Sequence, residues 1–228
     1  MFKKSILLAV LAVNLIFINT VQAKAKECLV KPSYNIVISN EDVQFINQNT
    51  LDIKPDGTVI LNGQLVKTKP LIKKEAKEFQ EYVRKELPLY ETLANTQLDD
   101  VNAAFEKAIR ENLGDKSSLL NNLASLHSQL IALLHKSIIT TDGVTYFYYQ
   151  PFNNLKKDGE AISEKVFYQI LGSSILNFDI FKNYSAIKKI AKNQWKSEKV
   201  VLQSFDDYVC ELMGNIDDQY NHLMIGLQ

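Results

Sequence analysis

The segment Leu51-Asp52-Ile53-Lys54-Pro55-Asp56-Gly57-Thr58-Val59-Ile60-Leu61-Asn62-Gly63-Gln64-Leu65-Val66 decides the fold. Pro55-Asp56-Gly57 is a turn with a mechanism: proline presets φ and glycine accepts φ > 0. Asn62-Gly63 is the preferred pair for a two-residue type I′ hairpin, which needs φ > 0 at both positions. Two turns in close succession, separated by Thr58 to Leu61, make an antiparallel meander. Upstream, Tyr34 to Ile38 and Val43 to Ile46 are short runs rich in β-branched and aromatic residues. Residues 28–68 therefore read as a small antiparallel sheet. The segment starting at Asp52 also begins like a calcium loop, but Lys54 takes the third ligand position and Gly63 the twelfth, where oxygens are needed. The hairpin reading prevails.

From Pro70 the period becomes helical. Ile72, Ala76, Phe79, Val83 and Leu87 form one stripe, which Pro88 is expected to end or kink. Leu98, Val101, Phe105 and Ala108 form a second stripe, and Leu119, Leu123, Leu126, Leu130 and Leu133 a third. Residues 70–140 read as helices, broken at Thr141-Asp142-Gly143. Val144-Thr145-Tyr146-Phe147-Tyr148-Tyr149 reads as a strand over 144–149, closed by Pro151. An isolated strand leaves its backbone groups unpaired, so it is expected to join the N-terminal sheet. Helices resume over 153–213, with Asp158-Gly159 and Gly172-Ser173-Ser174 as weak points. Ile187, Ala191, Trp195, Val201, Phe205 and Leu212 form the apolar stripe of the last one. Met213-Gly214 and Gly226 bracket a tail beyond it. The expected class is α+β: an N-terminal meander plus one later strand, packed with long amphipathic helices. Residues 24–228 read as a single domain.

The first residues give an address. Lys3 and Lys4 precede an apolar run from Ile6 to Ile18, followed by Val21-Gln22-Ala23. That is the layout of a signal peptide over 1–23, cleaved after Ala23, or after Ala25. An uncleaved anchor is the alternative, but the run falls short of the roughly 20 residues that a span needs. Beyond it no stretch is long and apolar enough to cross a bilayer. The chain is thus expected in the periplasm, in an oxidising compartment. There Cys28 and Cys210, the two cysteines, are expected to form a disulfide. Closing so long a loop stabilises a fold by up to about 5 kcal/mol.

Chemistry is harder to find. The 228 residues carry 26 basic and 26 acidic side chains. No bulk charge argues for nucleic acid. The sequence contains no G-x-S-x-G, H-E-x-x-H, P-loop or G-x-G-x-x-G. His127 and His135 are too far apart on a helix to share a metal, so no metal or cofactor is expected. The acid pairs Asp99-Asp100, Asp206-Asp207 and Asp217-Asp218 point about 100° apart on a helix and read as solvated faces. Tyr146 to Tyr149 reads as core with a binding platform as the sharper option. Lys188, Lys192, Lys196 and Lys199 share a helical face, either solvated or a surface for anionic lipid or an acidic partner.

Taken in order, several landmarks resemble one known family. They are Cys28, Ile53-Lys54-Pro55-Asp56-Gly57-Thr58-Val59 with Asn62-Gly63, and the helix through Phe79-Gln80 to Leu87-Pro88. Gly114-Asp115-Lys116-Ser117-Ser118, Asp142-Gly143-Val144-Thr145-Tyr146, Gln194-Trp195-Lys196 and Val209-Cys210 follow. The chain resembles the YggN-like family of exported Gram-negative proteins of unknown function. The resemblance implies a periplasmic location and supplies no catalytic residues. The sequence favours a non-enzymatic binding or envelope-maintenance module with an unidentified protein or envelope partner. A peripheral lipid-binding protein, suggested by the lysines and by Leu223-Met224-Ile225, is the alternative. An enzyme with a site assembled from scattered residues is the other.

Overall fold

A computed structural model describes residues 28, 30–174 and 179–227. The expected signal peptide and both cleavage points lie outside the described residues. Alternation sets the sheet. In β1 (Asn35–Ile38), β2 (Val43–Ile46) and β3 (Thr50–Ile53), every second residue is buried. That period places one set of side chains on each face of the sheet. β4 (Val59–Leu61) and β5 (Gln64–Leu65) complete the meander. α1 (Pro70–Leu113) and α2 (Leu119–Ser137) follow, then β6 (Ile138–Thr141) and β7 (Val144–Phe147). α3 (Tyr149–Ser174) and α4 (Asp179–Gly226) close the chain. The strands form one antiparallel sheet of seven, ordered β5-β4-β3-β2-β1-β7-β6. The fold is α+β.

The core lies between one sheet face and two helices. Ile36, Phe45, Leu51, Ile53 and Phe147 supply the sheet side. Ala76, Phe79, Val83, Leu87, Tyr90 and Ala94 supply α1, at helical spacing. Leu212, Met213, Ile216, Tyr220 and Leu223 supply α4. Aromatic rings tie the layers: Phe45 stacks on Phe79 at 5.0 Å and meets Tyr34 edge-on at 5.4 Å. Tyr220 lies 4.3 Å from Tyr34.

The structure departs from the expectations at several places. Pro88 does not end the helix, the first of the two outcomes expected there; α1 runs through it for 44 residues. An interior proline costs about 3 kcal/mol. Val83, Leu87, Tyr90 and Ala94 are buried on both sides of it, and each large apolar side chain so buried returns about 1.5–3 kcal/mol. Residues 138–140, expected at the end of a helix, belong to β6. The Ile138-Ile139-Thr140-Thr141 run is β-branched throughout and pairs with β7, so the later part of the sheet is a hairpin, not a lone strand. Tyr148 and Tyr149 leave the strand, with Tyr149 opening α3 and Pro151 in its first turn, where a missing N–H is harmless.

Asp158-Gly159 lies inside α3, with Gly159 turned toward Leu130 and Leu133 of α2. Finally, α4 continues through Met213-Gly214 to Gly226. A Cβ on Gly214 would meet the Val30 side chain at 3.7 Å, an ordinary contact, so the N-terminal segment packs beside the helix at this glycine. Within α4, Phe205 and Leu212 pack toward the core as expected, whereas Val201 is exposed. Ile187, Ala191 and Trp195 lie outside the described side chains.

Candidate functional site

One face of the sheet is turned away from the core that α1 and α4 form. Register alone assembles it. Leu65 pairs with Ile60, Ile60 with Asp52, Asp52 with Gln44, and Gln44 with Val37. Val37 then pairs with Tyr146, and Tyr146 with Ile139. One row of side chains thus crosses all seven strands on the outer face. Its members are exposed or half-buried, whereas Ile36, Phe45, Leu51, Phe147 and Ile138, one position along on the inner face, are buried. The row mixes apolar and polar groups, and Tyr148 adds a ring stacked on Tyr146 at 6.4 Å. Tyr146 therefore lies on the outer face and Phe147 in the core.

Asp42 sits beside this row and is nearly buried. Burial works to raise its carboxyl. Hydrogen bonds donated by Lys54 Nζ at 2.9 Å and Ser39 Oγ at 2.9 Å outweigh burial and hold it below the usual carboxylate range. Its neighbour Asp52 moves the other way, raised first by burial and then by the Asp42 charge. Asp52 Oδ1 is buried without a hydrogen-bond partner. Sequence inspection missed this cluster because Asp42, Asp52 and Lys54 meet only through the β2–β3 register. Its chemistry is structural: Asp42 is occupied by Lys54 and Ser39, which leaves no free acid/base pair. Among the described residues no group of three His, Cys, Asp or Glu side chains could hold a metal ion.

The expected site residues are placed as follows. Cys28 and Cys210 stand at disulfide distance, with Cα atoms 5.5 Å apart. Lys192 and Lys196 are exposed one turn apart on α4. Lys188 and Lys199 lie outside the described side chains. His127 Nε2 meets Asp99 at 2.8 Å, and His222 Nε2 lies 3.5 Å from Glu75. The histidines are thus dispersed. Asp217, of the acid pair Asp217-Asp218, accepts from the Tyr34 hydroxyl at 3.2 Å. Burial first, and Asp217 second, raise that phenol above its ordinary value. Of the apolar tail, Leu223 is buried in the core and Met224 packs against it, which leaves Ile225 exposed. Two of the three tail residues thus contribute to the core. Among the described residues no helix is long and apolar enough to cross a membrane.

No protein-family model matches the chain, and no solved structure matches it. Curated relatives do. The proteins named "Uncharacterized protein YggN" in Escherichia coli strains K12, O6:H1 and O157:H7 are each 25% identical to it over 218 residues. The similarity covers 89% of this chain and 91% of each relative. The chain is thus similar over nearly its whole length to proteins whose function is unknown. The similarity is nearly end to end, so it spans the sheet and the helices rather than one shared motif.

Proposed function

We propose that the chain is a non-enzymatic binding module of the Gram-negative envelope, exported to the periplasm, with residues 24–228 acting as a single domain. The observation that carries this reading is the uncovered sheet face, where Val37, Gln44 and Tyr146 lie side by side on central strands. A sheet with one face on the core and the other bare offers alternating side chains at fixed spacing to a partner. The spacing of Cys28 and Cys210 suits an oxidising compartment, as do the leading lysines and the apolar run after them. Thiol alkylation of the purified protein under denaturing, non-reducing conditions should add no mass. Two labelled cysteines would remove the compartment argument. The function itself is tested by in-cell photocrosslinking from Val37 and Tyr146, with exposed Lys107 on α1 as control. A discrete partner captured from the sheet face and not from the control is expected. Equal capture from all three sites would end the reading.

A second reading, peripheral lipid binding, is favoured by one stripe of α4. Lys192, Lys196 and Val200 follow at four-residue spacing, all exposed, with Val200 66% exposed. Each lysine near an anionic surface contributes about 1 kcal/mol. Co-sedimentation with anionic vesicles at physiological salt separates the two readings, and no binding is expected. Salt-sensitive binding lost on replacing Lys188, Lys192, Lys196 and Lys199 by Gln would promote lipid over protein.

A further inference from the structure

The two edges of the sheet differ, and the difference points to a partner. At the β6 edge, the Ile138 N–H donates to the Leu134 carbonyl of α2. The next edge group, the Thr140 N–H, donates to Glu91 of α1 at 3.0 Å. That edge is closed from within the chain. At the other edge, the Val66 N–H donates inward to the Val59 carbonyl at 3.0 Å. Backbone direction alternates along a strand, so the N–H and C=O of Leu65 and of Lys67 point away from β4. Past Gly63 exposure alternates: Leu65, Lys67 and Lys69 are exposed, while Val66 and Thr68 are half-buried, and Lys69 has extended backbone angles. Leu65 belongs to the outer-face row through Ile60, and Lys67 and Lys69 follow it on that face at two-residue steps.

We propose that the β5 edge, extended by Lys67 and Lys69, is a docking site for an added strand from an acidic partner protein. Charge selects the occupant. Among the described residues neither Lys67 nor Lys69 is in an ion pair, and the first turn of α1, which they precede, holds no acidic residue. A second copy of this chain would bring more lysines to the same edge, so like charge excludes self-pairing. A strand added parallel to β5, carrying an apolar residue and then two carboxylates at alternate positions, fits: it covers Leu65, which is 73% exposed, and places an acid opposite each lysine. The inference rests on the reading of the chain as a binding module, but it uses the sheet's edge and not its face.

The test uses the full disulfide-intact chain and the acetylated peptide Thr-Val-Thr-Glu-Thr-Glu-Thr, followed by backbone amide shifts at about 1 mM peptide, where weak strand addition is visible. Shifts confined to Leu65 through Lys69 are expected, and none with a peptide carrying Lys in place of both Glu. Replacing Lys67 and Lys69 together by Gln should weaken binding about tenfold. Leu65→Pro, which removes an edge N–H, should abolish it; where that variant misfolds, the double lysine variant decides. No localised shift, equal binding of the lysine peptide, or indifference to the lysine variant overturns the proposal. Shifts at Val37, Gln44 and Tyr146 alone also overturn it, while leaving the sheet-face reading standing.

Discussion

The hairpins at the two ends of the sheet turn alike and end differently. Asn62-Gly63 joins β4 to β5 with φ of 53° and 77°; Asp142-Gly143 joins β6 to β7 with φ of 52° and 77°. Both are the type I′ geometry that asparagine or aspartate followed by glycine favours. Yet β6 is backed by α1 through Glu91, whereas β5 ends in open lysines. Local chemistry thus fixes the turn, and a residue far away in sequence fixes what happens to the edge. The comparison also separates what the sequence discloses from what it hides. The first hairpin is legible because loop residues flank it on both sides. The second is masked because β6 follows α2 without a loop. Ser137, wholly buried, makes that junction possible: its hydroxyl donates to the Leu134 carbonyl at 2.7 Å, and its own carbonyl accepts from Tyr148 N–H at 2.8 Å. The helix end is satisfied without glycine, so no breaker marks it.

The largest expected effect lies on the β5 side, where the Pro55-Asp56-Gly57 turn presses against α1. A Cβ on Gly57 would sit 2.1 Å from the Lys73 carbonyl oxygen, at a φ of +82°. Gly57→Ala should destabilise the protein by about 3 kcal/mol or more, read as a shift in the urea midpoint. Lys73 and Asp56, 2.7 Å apart, sit across the same contact. A loss below about 1 kcal/mol would mean that the turn and α1 do not touch, and that the β5 side is as loose within as it is at its edge.

Next come the hairpin glycines. Neither Gly63 nor Gly143 has an atom within 4 Å of a Cβ built on it, so backbone strain alone is at stake. Gly63→Val and Gly143→Val should each cost about 1–3 kcal/mol, and the two values should agree within about 0.5 kcal/mol. Unequal midpoints would break the equivalence of the two turns.

A smaller effect should come from Asp42, which braces the β5 half of the sheet through Lys54. Its folded-state carboxyl is held below the unfolded value of about 3.9. Its contribution is therefore complete above that value and is lost as pH falls through the lower folded one. Lys54 is partly exposed and screening weakens the pair, so Asp42→Asn should cost about 1 kcal/mol at neutral pH. The variant should also lose less stability on acidification than the parent. An identical acid limb in both proteins would remove Asp42 from the account. Like the second hairpin, this brace is illegible in sequence, since Asp42 and Lys54 stand on different strands and only pairing in register unites them.

The smallest expected change in stability carries the sharpest information about the two edges. The Thr140 N–H and hydroxyl both donate to Glu91, and the hydroxyl also meets Thr145 Oγ1 at 2.9 Å. Water can replace the carboxylate at this exposed site, so Glu91→Ala should cost only about 0.5 kcal/mol. Its effect on the Thr140 amide should be large in comparison. With Glu91 present, hydrogen exchange at Thr140 requires the α1–β6 contact to open. Without it, exchange should rise toward the rate at Leu65 on the other edge, while Leu65 itself stays unchanged. Glu91→Gln keeps one oxygen for the N–H and should fall between the two. If Thr140 exchanges equally fast in the parent and in Glu91→Ala, the β6 edge was never closed. The asymmetry that singles out β5 would then disappear with it.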